Sequence, residues 1–370
     1  MSTMQALRQD KVAGPLHVET VPIPQVEPGS AVVQVLDSYI VSYTRELLDG
    51  TRAVPYVAPS TAGMNAVGRI HALGPDSTAL QVGQLVFTNG VLRGRDDPIN
   101  SIALTGVFHG PAGGQKLMQY WPDGSFAEYQ RVPLENVLPL DEDRLVKELG
   151  YSTADLTYMS QLGVPFSGLS DIELKAGETI VISPATGGFG GAAVRIALAI
   201  GAKVIAMGRN KDRLAELKAL AGKPYPADRL VTVPITGDLG QEMGALAEAA
   251  GPSGIDAYLD ISPAQGANGS YFKAAILVLK PYGRVSLMGG QAEDVIPYQK
   301  VAFHQLRLRG TWMFTPDIPR KLINLIEKGV MPLGKKAGLA APKEFALKDW
   351  KEALDHAFGD NLSVFVPSKK

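Results

Sequence analysis

The stretch that decides the fold is residues 179–209, which read TIVISPATGGFGGAAVRIALAIGAKVIAMGR. Thr179–Ser183 is rich in β-branched residues and carries no charge, which predicts a buried parallel strand. A glycine-rich turn follows, and the apolar run Ala192–Ile200 then predicts a helix that covers a sheet. Gly201 ends this helix, and Lys203–Met207 predicts a second strand directly after it. The stretch therefore predicts one unit of strand, turn, helix and strand.

The glycines of the turn have the spacing of a dinucleotide-binding fingerprint. Ala185, Gly187 and Gly190 occupy its three small positions. Gly187 would let the backbone approach a pyrophosphate, and Gly190 would let the helix pack closely on the strand. The helix N-terminus then faces an anion. We predict a dinucleotide site here; the alternative is a turn whose glycines serve packing alone.

The end of the second strand predicts which dinucleotide is bound. In NAD-binding proteins an acidic residue at this point binds the ribose hydroxyls. Here the position is Gly208, followed by Arg209, Asn210 and Lys211. Because a guanidinium group forms charge-assisted hydrogen bonds with phosphate, this pattern predicts NADPH. The alternative is that Arg209 and Lys211 are solvated charges at the start of the next helix.

Composition excludes several classes of protein. The 370 residues include 36 basic and 37 acidic side chains, so the net charge of −1 predicts binding to neither nucleic acid nor an anionic membrane. The absence of cysteine excludes disulfides and thiolate metal sites. The N-terminus has no apolar core like that of a signal peptide, and no apolar run approaches about 18 residues. We expect a cytoplasmic protein with a small-molecule substrate.

The order of patterns along the chain predicts two domains. Up to residue 140, short strands alternate with turns, and we expect them at Leu16–Thr20, Ala31–Ser38, Ala66–Leu73, Leu85–Thr88 and Ala127–Val132. After residue 150 strands alternate with helices, which predicts a doubly wound parallel α/β sheet of six strands. We assign residues 151–314 to this dinucleotide-binding domain. Residues 1–150 and 315–370 form the β-rich domain, to which the last strand, Ser363–Pro367, returns.

One long segment, Val91–Tyr120, has five glycines and two prolines and is expected to be irregular. It is too long for an ordinary connection, which favours a lid or a substrate loop. A tolerated surface insertion is the alternative.

This order of domains resembles the medium-chain dehydrogenase/reductase superfamily. The motifs that carry the resemblance are EPG at 27–29, TAGMNAVGRI at 61–70, VGQLV at 82–86, GSFAEY at 124–129 and AGE at 176–178. The resemblance implies a GroES-like catalytic domain, a Rossmann domain, oxidoreductase activity and a homodimer joined through the Rossmann sheets. Asn65 stands where the family usually has a glutamate, and Gln84-Leu85 where it usually has Asp-Arg, so the chain is a divergent member.

The same resemblance places three positions where relatives bind a catalytic zinc ion. They are Val41, Met64 and Gly163, and none carries a donor of the kind that zinc prefers. The five histidines are scattered along the chain without paired spacing. The resemblance is therefore to the zinc-free branch, which is similar to quinone oxidoreductases and enoyl reductases, and we expect no metal.

Without a metal, hydrogen-bond donors must stabilise charge on the substrate oxygen. Residue matching puts Tyr43 at the family's proton-relay hydroxyl, with Tyr39 and Ser42 beside it. A phenol with a pKa near ~10 can protonate a reduced carbonyl or a developing enolate. The alternative is that both tyrosines line the pocket. The candidate catalytic residues are thus Tyr43, Ser42 and Tyr39, and the candidate cofactor-binding residues are Ser167, Ala185, Thr186, Gly187, Gly188, Phe189, Gly190, Gly208, Arg209, Asn210, Lys211, Met288 and Gly289.

These observations lead to one expected function and one alternative. We expect an NADPH-dependent, zinc-independent oxidoreductase that acts on a carbonyl, enone, enoyl or quinone-like small molecule. Because a fold does not determine an activity, the alternative is a cofactor-binding protein with a non-redox activity or an interaction role.

Overall fold

The computed structural model describes residues 2–220, 225–263, 269–290 and 296–369. The chain divides into two compact units, Met1–Ser160 with Ala340–Lys370, and Gln161–Leu339. Both divisions lie later in the chain than the predicted domain boundaries near residues 150 and 315. Residues 315–339 belong to the second unit and not to the first. Among the residues described, no helix is both long enough and apolar enough to cross a membrane.

The first unit consists mainly of strands, as predicted. Its elements up to residue 156 are β1 (Thr3–Gln9), β2 (Leu16–Pro22), β3 (Ser30–Tyr39), α1 (Thr44–Leu48), β4 (Ser60–Thr61), β5 (Ala66–Leu73), β6 (Leu85–Thr88), β7 (Val91–Arg93), β8 (Ile102–Leu104), β9 (Phe108–His109), α2 (Ala112–Tyr120), β10 (Tyr129–Pro133), β11 (Val137–Pro139) and α3 (Thr153–Leu156). A π-helix spans Asp143–Glu148. The strand predictions at residues 16, 31, 66 and 85 are confirmed, whereas β1, which pairs with β2 along its whole length, was not predicted.

The prediction that Val91–Tyr120 is irregular is wrong. β7, β8 and β9 form an antiparallel sheet, and α2 packs against it. The buried residues Tyr56, Leu92, Ala103 and Met118 form an apolar core beneath this sheet. The segment is therefore a small folded lobe.

The second unit contains the predicted parallel sheet. Its elements are α4 (Met159–Asp171), β12 (Thr179–Ser183), α5 (Gly188–Ile200), β13 (Lys203–Gly208), α6 (Lys211–Lys218), β14 (Leu230–Pro234), α7 (Leu239–Ala250), β15 (Ile255–Asp260), α8 (Ser270–Leu277), β16 (Leu279–Leu287), α9 (Tyr298–Phe303), β17 (Arg307–Gly310) and α10 (Asp317–Glu327). The strands lie in the order β14-β13-β12-β15-β16-β17, which is the 3-2-1-4-5-6 order of a Rossmann sheet. The predicted fold class is confirmed.

The registers of these strands place their carboxyl ends along one edge of the sheet. Ile180 of β12 lies beside Val204 of β13 and beside Ala257 of β15, and all three side chains are buried. Helices cover the faces, and the central strand β12 is buried throughout its length. In an open sheet of this order, ligands bind outside the carboxyl ends of the strands.

The end of the chain returns to the first unit. Its elements are β18 (Lys343–Phe345), α11 (Trp350–Phe358) and β19 (Ser363–Phe365). β19 pairs with β3, where Val364 lies beside Tyr39, and it completes a seven-stranded sheet. The prediction that the last strand joins the β-rich part of the chain is confirmed.

Candidate cofactor site and active-site residues

The fingerprint turn joins β12 to α5. Gly187 is the N-cap residue of α5 and has an extended backbone (φ −85°, ψ 170°). A Cβ at Gly190 would lie 2.0 Å from the carbonyl oxygen of Pro184, so only glycine permits this approach of helix to turn. The first N–H groups of a helix have no acceptor within it, and they coincide with the positive end of its dipole. This arrangement is typical of turns that bind an anion.

The same turn packs against the end of β13. The N–H of Ala185 donates to the carbonyl oxygen of Met207 at 2.6 Å. A Cβ at Gly208 would lie 2.4 Å from Thr186 Cγ2. The structure thus places Ala185 and Thr186, at the start of the fingerprint, against Gly208, where NAD-binding proteins have an acidic residue. Phe189, further along the turn, is half-buried.

The three residues after Gly208 have different environments. Arg209 and Lys211 are exposed. Asn210 caps α6, because its Oδ1 accepts the N–H groups of Asp212 and Arg213, both at 3.0 Å. The Asn210 side chain is therefore engaged with its own helix, which leaves the two basic side chains for a phosphate.

The remaining predicted cofactor residues lie where α4 packs against the end of β16. A Cβ at Gly168 would lie 2.3 Å from the sulfur of Met288, so helix and strand end are in close contact. Ser167, the neighbour of Gly168, is buried. Gly289 follows Met288, and a Cβ there would lie 2.2 Å from Asp260 Oδ2.

A polar network at the end of β15 was not predicted. Asp260 Oδ1 accepts hydrogen bonds from the Ser262 N–H at 3.3 Å, from the Ser262 hydroxyl and from the Tyr258 hydroxyl at 3.5 Å. Tyr258 and Ser183 hydroxyls are 2.9 Å apart. Burial raises the pKa of Asp260, and hydrogen bonds from Ser262 and Gly289 oppose this. The signal in the sequence is an acidic residue that ends an apolar strand.

The three catalytic candidates lie together in the first unit. Tyr39 ends β3 and is buried, while Ser42 and Tyr43 are half-buried in the turn before α1. The guanidinium carbon of Arg52 lies 4.4 Å from the centroid of the Tyr43 ring. Burial raises the pKa of both phenols above the usual value, and Arg52 opposes the shift at Tyr43. Both hydroxyls therefore stay protonated at neutral pH, which suits a proton donor and not a base.

The three positions matched to zinc ligands carry no side chain of the kind that zinc prefers. Val41 and Met64 are apolar, and Met64 packs so closely on Gly90 that a Cβ there would lie 2.3 Å from its Cγ. At Gly163, a Cβ would lie 3.2 Å from the Phe314 ring, so this ring borders the space of a third ligand. Within the described part of the chain, no group of three or more His, Cys, Asp or Glu side chains is arranged to hold a metal ion.

Comparisons with known proteins agree with this architecture. Residues 27–142 match the alcohol dehydrogenase GroES-like domain family, and residues 188–328 match the zinc-binding dehydrogenase family. An L-threonine 3-dehydrogenase of Ruegeria pomeroyi is 26% identical over 334 residues, which are 88% of this chain and 90% of that protein.

Two solved structures share the fold at low sequence identity. Alcohol dehydrogenase TADH from Thermus sp. ATN1 has a TM-score of 0.78 and 20% identity, covering 98% of this chain and 99% of its own. A structure described as a putative zinc-binding dehydrogenase from Sinorhizobium meliloti 1021 bound to NADP has a TM-score of 0.76 and 20% identity, covering 99% of this chain and 100% of its own. The two matched families occur in the order that the sequence predicted, on the β-rich unit and on the parallel sheet. The chain therefore belongs to the medium-chain dehydrogenase/reductase superfamily, and it is an oxidoreductase of that superfamily.

Proposed function

We propose that the protein is an NADPH-dependent, zinc-independent oxidoreductase that acts on a carbonyl, enone, enoyl or quinone-like small molecule. The observation that carries this proposal is the end of β13, where Gly208 stands at the position of the NAD-selecting carboxylate and exposed Arg209 follows it. The S. meliloti protein that binds NADP shares the fold, which supports a pyridine nucleotide in this site.

Each part of the site has a proposed role. The N–H groups at the start of α5 bind the pyrophosphate, and Arg209 binds the 2′-phosphate of the adenosine. Ser167, Met288 and Gly289 lie on the half of the sheet that would hold the nicotinamide, which supplies the hydride when bound. Tyr43 donates the proton to the substrate oxygen, since a phenol is protonated at neutral pH and can act as a general acid.

Zinc independence rests on the residues at the three matched ligand positions. Val41, Met64 and Gly163 carry an isopropyl group, a thioether and a hydrogen atom at these positions. Zinc in proteins is held by thiolate, imidazole and carboxylate groups, and none of the three residues has one. Polarisation of the substrate oxygen then falls to hydrogen-bond donors.

A homodimer joined through the Rossmann sheets is proposed from the free edge of the sheet. β17 is the last strand in the order of this sheet, and within the described residues it pairs with β16 alone. Tyr282, Tyr298 and Phe303, which precede this strand, expose 60%, 80% and 81% of their surfaces. Exposed edge strands and exposed aromatic side chains are features of surfaces that a second chain covers.

The experiment that tests the proposed function uses NADPH carrying deuterium at the transferred position. The purified protein is incubated with aldehydes, ketones, enones, enoyl thioesters and quinones, and products are analysed by mass spectrometry and NMR. Deuterium on the carbon that bears oxygen identifies carbonyl reduction, and deuterium on a β-carbon identifies double-bond reduction. NADPH binding without oxidation by any substrate would instead favour the non-redox alternative.

A further inference from the structure

Asp260, at the carboxyl end of β15, is a buried acid that forms no ion pair with any of the described residues. Its side chain is 2% exposed. The groups that shift its pKa are hydrogen-bond donors, and within the described residues none of them is a basic side chain. A buried carboxylate is costly unless its oxygens are hydrogen-bonded, so the donors around it are the reason it is tolerated.

Both carboxylate oxygens have close neighbours. Ser262 and Tyr258 donate to Oδ1, as described above. Oδ2 lies against Gly289: a Cβ there would come within 2.2 Å of this oxygen, so the missing side chain leaves room for the carboxylate, and the Gly289 backbone helps to lower the pKa that burial raises. Only an ionised carboxylate accepts at both oxygens without presenting a donor of its own. This set of neighbours therefore fits the carboxylate and not an amide.

The carboxylate lies between two segments that continue beyond the sheet. The Met288 N–H donates to the carbonyl oxygen of Asp260 at 2.9 Å, and the Gly290 N–H donates to that of Ser262 at 3.0 Å. Residues 260–262 and 288–290 thus run side by side, and the Asp260 side chain joins them at Gly289. The backbone of residues 288–290 is held from one side by this acid.

The position of this contact in the sheet assigns it to one half of the cofactor. The fingerprint turn and Arg209 follow β12 and β13, so the β12–β14 half takes the adenosine. β15 and β16 belong to the other half, which takes the nicotinamide. We propose that Asp260 is a positioning residue whose carboxylate holds the backbone of residues 288–290 in the conformation that receives the nicotinamide half of NADP(H). This inference rests on the proposed function.

Asp260→Asn tests the proposal, because it keeps the shape of the side chain and replaces one acceptor oxygen with a donor. Whichever way the amide turns, a donor then faces a donor. We expect the dissociation constants of NADPH and of NADP⁺, measured by calorimetry, both to rise by about tenfold or more. Binding of 2′,5′-ADP, which contains only the adenosine half, should change by less than about twofold, since that half of the site is untouched.

A matched control is Asp256→Asn, at the opposite end of the same strand. Asp256 accepts the Thr179 N–H at 2.8 Å and pairs with Lys280 at 2.6 Å, so its loss also removes bonds to a carboxylate. It should lower the melting temperature without changing the affinity for any of the three ligands. Ser262→Ala is a milder second variant, since it removes one hydroxyl donor to Asp260; we expect it to weaken NADPH by about two- to tenfold.

Each other outcome overturns the inference. Equal weakening of 2′,5′-ADP would show a general loss of structure, and weakening of NADP⁺ alone would show an effect of charge and not of position. Affinities equal to those of Asp256→Asn would show that Asp260 serves folding only. If Asp260→Asn does not fold, unchanged NADPH affinity in Ser262→Ala overturns the proposal. Wild-type protein that binds 2′,5′-ADP but neither NADPH nor NADP⁺, or none of the three, would overturn the proposed function together with this inference.

Discussion

The methyl group of Thr186 occupies the space into which a side chain at position 208 would project. A Cβ at Gly208 would come within 2.4 Å of Thr186 Cγ2, well inside van der Waals contact. A carboxylate here, of the kind that selects NAD in many Rossmann domains, would therefore require the Thr186 side chain to move. The fingerprint turn and the end of β13 are packed in a way that leaves Arg209 as the nearest charged group after the strand.

Arg209→Ala should remove the preference for NADPH. We expect the dissociation constant of NADPH to rise by roughly ten- to 150-fold, because charge-assisted hydrogen bonds to the 2′-phosphate are lost, while that of NADH changes little. Fluorescence titration with both nucleotides measures this. Arg213→Ala is the control, since Arg213 lies on α6, which begins two residues after Arg209, and pairs with Glu216 at 3.0 Å. Unchanged preference in Arg209→Ala would contradict the assignment.

The local part of the fold was predictable from sequence, and the long-range part was not. Residues 179–209 form the predicted unit because its apolar strands and glycines act within a short stretch. α2 was missed because it contains Gly113 and Gly114, which disfavour helix. In the structure a Cβ at Gly113 would lie 2.0 Å from Ser101 Oγ, and one at Gly114 would lie 2.2 Å from the Ile102 carbonyl oxygen. These glycines serve packing on β8, which no local pattern reveals.

The candidate site shows the same division. The fingerprint and Arg209 are contiguous in sequence, so their pattern was recognisable. The Asp260 network joins Ser183, Tyr258, Ser262 and Tyr271, whose hydroxyls meet only after β12, β15 and α8 have packed. The spacing of these residues along the chain does not predict that their hydroxyls form hydrogen bonds with one another.

Removal of metal should leave activity intact. Asn65, which stands where relatives usually have a glutamate, is buried and accepts the Gly90 N–H at 2.8 Å, so its side chain is engaged with the backbone. Protein treated with a strong chelator and then dialysed should keep its turnover, and elemental analysis should find far less than one zinc ion per chain. Stoichiometric zinc, with activity lost on its removal and restored on its return, would contradict zinc independence.

Phe303→Glu should convert the proposed dimer to a monomer. Phe303 is exposed and lies next to the edge strand β17. A glutamate carboxylate at this position would be buried without a partner when the Rossmann sheets of two chains associate. Light scattering coupled to size exclusion should change from twice the chain mass of 39.3 kDa to that mass. Val82→Glu is the control, because Val82 is an exposed apolar residue of the other unit. A wild-type monomer would contradict the dimer.

Asp37 should make the stability of the first unit dependent on pH. Burial, with Glu344 and Asp155 nearby, raises the pKa of this carboxyl to about 6, against the opposing hydrogen bond of Thr153. Its pKa in the unfolded chain is near ~3.9, so the folded state holds the proton more tightly. Stability is therefore highest at low pH with respect to this group, and it is lost as the pH rises from about 4 to 6. The loss at pH 7 is roughly 3 kcal/mol.

Asp37→Asn tests this dependence because an amide does not titrate. The variant and the wild type should have similar melting temperatures near pH 4, and the variant should melt several degrees higher at pH 7.5, since about 1 kcal/mol corresponds to roughly 2–4 °C in a unit of this size. Asp10→Asn, at an exposed position of the same unit, is the control and should show no such divergence. A constant difference between Asp37→Asn and wild type across this range would contradict the raised pKa.

Tyr43→Phe should slow the chemical step. The substitution keeps the ring and its contact with Arg52 and removes only the hydroxyl, so a proton-donor role predicts a fall in turnover of ~10²–10⁴-fold with NADPH affinity unchanged. A lining role predicts nearly constant turnover and a modest rise in KM, because only binding common to the ground and transition states is lost. Tyr56→Phe is the control: this hydroxyl donates to Gln9 Oε1 at 2.6 Å, so its loss should lower stability and not turnover. Single-turnover measurements with deuterated NADPH establish that hydride transfer is being observed. If Tyr43→Phe then retains more than about a third of the wild-type rate, the proton must come from Ser42, Tyr39 or a bound water. Ser42→Ala is the next variant, because Ser42 is half-buried whereas the Tyr39 side chain is buried and less accessible to a substrate.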